Sequence, residues 1–135
     1  MTIRTIEKTR YLKAAPERVW AYLTDKALLA EWFHPAENNL ADGEDYALLS
    51  KDGSALCSGT VTEMTPHTRL AYSFTAGPMA GLMTEVTWTL TEVEGGTHLA
   101  LKHDGLPGSA EGFGLLAAFD AGWDDHLKRM RDIDA

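Results

Sequence analysis

The last stretch of the chain, Ser109 to about Ile133, constrains the fold most, because it reads as one long amphipathic helix. Pro107-Gly108 breaks whatever precedes it, and Ser109 is a competent N-cap whose hydroxyl can accept from an orphan backbone N–H. Glu111 falls in the first turn and Lys128, Arg129 and Arg131 near the end, the order of charge that the helix dipole favours. Leu116, Phe119, Trp123, Leu127 and Met130 recur at the three-and-four spacing of a single face. At 1.5 Å per residue such a helix spans roughly 37 Å, about the width of a small domain. So much aromatic mass on one side demands a broad partner surface, and the preceding sequence reads as a sheet able to supply it.

Residues 3 to 13 suggest a long first strand, although its phase is unclear: Ile6 and Leu12 alternate one way, Ile3 and Tyr11 the other. A bulge or a lightly buried face would explain that. Pro16 suits the first position of a helix that carries Val19, Trp20 and Leu23 on one side. Asp25 can cap a second short helix with Leu28, Leu29, Trp32 and Phe33 inward, and Pro35 forces the chain out of it. After the acidic loop 36 to 45, strands are predicted over Tyr46–Ser50 and Ala55–Met64, joined by the turn Lys51-Asp52-Gly53. Arg69–Thr75 follows with Leu70, Tyr72 and Phe74 on one face, then a loop at Gly77–Gly81. Thr84–Glu92 turns Val86, Trp88 and Leu90 inward, and Gly95-Gly96 closes a hairpin into Thr97–His103, with Leu99, Leu101 and His103 sharing a face. The order implies one α+β domain over residues 1–135, an antiparallel sheet wrapped on the terminal helix.

Composition narrows the function classes. A net charge of −8 argues against a nucleic-acid or anionic-membrane surface. The lone Cys57 excludes an internal disulfide framework and any multi-cysteine metal site. With no leader-like start and no apolar run near 18 residues, the chain is expected to be soluble and cytoplasmic.

Several segments together carry a resemblance. They are AAPERVWAYLTDKALLAEWF (14 to 33), the G-x-V-x-E-x-x-P run from Gly59 to Pro66 with Arg69-Leu70 after it, Gly96-Thr97-His98-Leu99, and Gly122-Trp123 with Leu127. With these the chain resembles the START-like helix-grip superfamily, and within it bacterial single-domain proteins similar to the C-terminal domain of the Hsp90 ATPase activator Aha1. The resemblance implies a curved antiparallel sheet gripping the last helix, two short helices after the first strand, and a cavity between sheet and helix. It implies a binder of a small hydrophobic or amphipathic molecule, or a module touching an Hsp90-type chaperone, and it brings no shared catalytic motif. Aha1 itself has a separate N-terminal domain that contributes to engaging the chaperone; this chain opens directly at the first strand.

The residues themselves favour no catalyst. His98 and His103 lie five apart on one strand and point to opposite faces. His34, His67 and His126 sit in separate segments without metal-ligand spacing, so neither a metal nor a cofactor is expected. Cys57 reads as a small buried hydrophobe, and His126 as a satisfied residue at the edge of the helix's apolar face. His103 looks toward the helix and is a candidate polar anchor, or a general base in a cyclase- or hydrolase-like enzyme. Trp32, Phe33, Tyr72, Phe74, Trp88, Phe113, Phe119 and Trp123 are expected to face inward as apolar wall, with Glu63 as a second polar contact. Glycines at 112, 114 and 122 lower helix stability by about 1 kcal/mol each against alanine, which suggests that close approach or room is needed there. Trp20 or the edge of the first strand offers a surface for a homodimer, and a monomer remains equally open.

Overall fold

The cleanest alternation in the chain makes a central strand of the sheet. Residues Thr84–Val93 form β5, whose Val86, Trp88 and Leu90 are buried while Glu85 and Thr91 face solvent. β5 lies inside a six-stranded antiparallel sheet with β1 (Ile3–Leu12), β2 (Asp45–Leu49), β3 (Ala55–Thr65), β4 (Arg69–Ala76) and β6 (Gly96–Pro107), in the order β1-β6-β5-β4-β3-β2. Two short helices, α1 (Pro16–Thr24) and α2 (Lys26–Trp32), follow β1, and α3 (Phe113–Ile133) closes the chain. The computed structural model describes residues 3–50, 52–76, 82–107 and 112–133. The Ser109 cap, Glu111, Lys51 of the turn and the Gly77–Gly81 loop lie outside the described residues, as does the side chain of Arg131.

The arrangement is the expected α+β helix grip. Pro16 opens α1, and the Asp25 carboxylate caps α2 by accepting from Ala27 N at 2.9 Å and Leu28 N at 3.3 Å. Trp20 packs into the core edge-on to His67, which removes it as an exposed dimer surface. α3 lies against α2, β1 and β6.

Bulges settle the phases that alternation alone leaves open. In β1 the register shifts between Arg4 and Ile6, and from there Ile6, Lys8, Arg10 and Leu12 share the inner face. The two cations in that row meet α3: Lys8 Nζ lies 2.6 Å from Asp120, and an Arg10 nitrogen 2.9 Å from Asp124. A second shift between Val61 and Glu63 reverses β3, so that Met64 packs on the core and Glu63 turns away. β6 runs four residues beyond the predicted end at His103 because Gly105 takes φ +88°, which returns Leu106 to full burial. At Gly59 the backbones of β3 and β4 come so close that an added Cβ would sit 1.8 Å from Ser73 O.

Candidate functional site

The two halves of α3 meet the sheet differently. Trp123, Leu127 and Met130 are each at most 2% exposed, whereas Leu115, Leu116 and Phe119 are only partly buried. Between that looser half and the sheet lies a cleft of about 230 Å³. The end of α2 contributes Phe33 and His34, β3 Cys57, and β4 Phe74. From α3 come Leu115, Ala118, Phe119, Gly122, Trp123 and His126. Phe33 is placed by the stop of α2, where its N–H donates to Leu29 O at 2.8 Å before Pro35 redirects the chain. An added Cβ at Gly114 or Gly122 meets nothing within 4 Å, so these glycines leave room and mediate no close approach.

Beneath the cleft a polar network is closed. Trp123 Nε1–H donates to His103 Nδ1 at 3.0 Å, which fixes the proton on Nε2. Nε2 donates to Thr84 Oγ1 at 2.8 Å, and that hydroxyl donates to Phe74 O at 2.8 Å. His103 is fully buried, and burial pushes its pKa down to about 4 against a weaker opposing pull from Asp104. Trp88 donates to Tyr72 Oη at 2.9 Å and Trp32 to Tyr22 O at 2.7 Å, so each of these indole donors has a partner.

At the rim the polar groups are open. His126 Nδ1 lies 3.2 Å from Trp32 O, which can only accept, so Nδ1 carries a proton, and in the neutral ring Nε2 keeps a lone pair. The His126 ring stands edge-on to Phe33 at 4.7 Å and to His34 at 5.1 Å. Burial pushes the His126 pKa down to about 4, helped by His34 and Arg129; burial and Arg129 lower His34 as well. The Cys57 thiol, raised to about 11 by burial, is a neutral wall atom. Among the described residues, no group of three or more His, Cys, Asp or Glu is placed to hold a metal ion.

Of the ten residues predicted from sequence, Phe33, Phe74, Phe119 and Trp123 border the cleft. Trp32, Tyr72, Trp88 and His103 are buried behind it. His103 lies behind the cleft rather than on it, with both ring nitrogens hydrogen-bonded to Thr84 and Trp123. Glu63 lies away from the cleft, because the β3 bulge pairs it with Ala71 and its carboxylate accepts from Arg69 Nε at 2.9 Å. Phe113 is 53% exposed; ten residues before Trp123, it falls roughly 80° round the helix from that side chain. The sequence reading missed His34, Cys57 and His126 as members of one site. The available signal was local: His34 directly follows Trp32-Phe33, and His126 borders Leu127 on the apolar face.

Comparison with known proteins places this geometry in a family. Residues 13–133 match the family described as activator of Hsp90 ATPase homolog 1-like protein. No curated protein matches the sequence. Among solved structures, protein MLL2253 from Mesorhizobium loti is similar at 24% identity and TM-score 0.84, over 96% of this chain and 95% of that one. PFC0360w, an HSP90 activator from Plasmodium falciparum, is similar at 26% identity and TM-score 0.80, over 96% and 94%. The Aha1 dimer from Colwellia psychrerythraea shares the fold at 20% identity and TM-score 0.81, over 97% and 96%. With nearly its whole length matched, the chain belongs to the family of activator of Hsp90 ATPase homolog 1-like proteins.

Proposed function

We propose that this chain binds a small apolar or amphipathic molecule in the cleft between the sheet and α3, without turning it over. The observation that carries the reading is the cleft itself: aromatic walls on three elements, with its α3 side kept open at Gly122. A trough of about 470 Å³ on the sheet's outer face, past Glu7, Arg69, Glu85 and Lys102, is larger but has no aromatic wall. The engagement of both His103 ring nitrogens beneath the cleft supports a binder over an enzymatic role built on that residue.

A second reading is an interaction module for an Hsp90-type chaperone. It is supported by the family's description, by the similarity to the Plasmodium falciparum activator, and by the acidic net charge of −8. Native mass spectrometry on gently purified protein, set against the denatured mass, separates the two. A stoichiometric extra mass is expected for the binder. A clean apo mass, together with a changed ATPase rate when an Hsp90-type chaperone is added, would transfer the assignment to the second reading; an unchanged rate would remove that one too.

A further inference from the structure

Resting on the cleft reading, the hydrogen-bonding state of the rim narrows the ligand class. Four rings, Phe33, Phe74, Phe119 and Trp123, border the cleft, and Phe74 and Phe119 meet edge-to-face with centroids 6.0 Å apart. Such walls favour a flat ring, which finds the same offset and edge contacts. The volume of about 230 Å³ corresponds to about eight waters at roughly 30 Å³ each, room for one or two fused rings.

The polar requirement comes from His126. Its Nδ1–H is committed to Trp32 O, and Nε2 has no hydrogen bond to any described residue. His126 itself lines the cleft and is only partly buried. An imidazole held neutral in this way offers one acceptor and asks for a donor. A neutral donor fits the setting better than a cation: Arg129 contributes to lowering both His34 and His126, against a weaker opposite pull on His126 from Asp125, with which Arg129 is ion-paired. A neutral hydroxyl satisfies both conditions.

We propose that the cleft takes a flat aromatic molecule bearing a neutral hydroxyl, a phenol or an enol, whose O–H donates to Nε2 of His126 while its ring lies among Phe33, Phe74, Phe119 and Trp123. Isothermal titration of the full chain with 2-naphthol and with 2-methoxynaphthalene tests it, because the two probes share the ring and only the first can donate. The naphthol is expected to bind about five- to tenfold more tightly, the worth of one hydrogen bond. His126→Phe is expected to abolish that preference and to retain binding of the methoxy compound. Equal affinities in the native chain would overturn the donor assignment and leave the cleft reading standing. A preference that survives His126→Phe would overturn the choice of His126. Binding of neither probe would overturn both.

Discussion

The two halves of α3 form one continuous helix with two different relations to the sheet. The C-terminal half is welded down: Trp123 stands edge-on to Trp88 at 5.6 Å, its N–H is taken by His103, and Leu127 and Met130 are buried. The N-terminal half is held back, with Leu115, Leu116 and Phe119 half-covered and the space beside Gly114 and Gly122 open. Burial is thus deepest from Trp123 onward, while the open space lies beside the helix from Leu115 to His126. If the cleft takes a guest as proposed, vacating it leaves the buried core intact.

The comparison is most directly broken by truncation on either side of it. Trp123→Ala removes a buried aromatic and orphans His103, and should destabilise by about 3–5 kcal/mol, whereas Phe119→Ala should cost roughly 1 kcal/mol. Urea denaturation reads both, and similar losses would mean that the halves are equally structural.

Acid should act first on the welded half. His103 has a folded-state pKa of about 4, below the ordinary value of about 6.5, so the unfolded chain binds a proton more readily than the native one. Its contribution is fully present above about pH 6.5 and is lost as pH falls toward about 4, a change on the order of 3 kcal/mol. The partly buried His126 adds in the same direction. Unfolding midpoints followed through that window should fall steeply in the native chain and less steeply in His103→Gln; parallel slopes would mean that the burial of His103 is not what sets the acid limit.

The smallest effect has the opposite sign. Gly122→Ala meets open space and should stabilise by about 1 kcal/mol through helix propensity alone. A higher melting temperature, combined with weaker binding of any cleft ligand, would sharpen the assignment of Gly122 to room; a lower one would mean that the backbone there is tightly packed.

Much of this could be read in advance, for identifiable reasons. β5 and β4 were legible because one face of each is buried along its length, so their alternation is clean. β1 was not, because its inner row is half cationic, and the carboxylates that justify Lys8 and Arg10 lie more than a hundred residues away on α3. Phe33, Phe74, Phe119 and Trp123 were legible as wall from periodicity. Glu63 misled because a bulge is invisible to strict alternation, and Phe113 because the extent of a helix says nothing about where its partner surface stops. The His34–His126 rim depends on two segments meeting in space, which spacing along the chain cannot report.

The charged inner row of β1 also decides which solution variable acts on the grip. Lys8 and Arg10 reach Asp120 and Asp124, whose side chains remain about half exposed to water. Such pairs are screened by added salt, while the aromatic packing at Trp123 is not. Ionic strength therefore acts selectively on the middle of α3, beside the cleft. Added salt is expected to weaken the contacts that hold the middle of α3 to β1, while the packing around Trp123 keeps its strength.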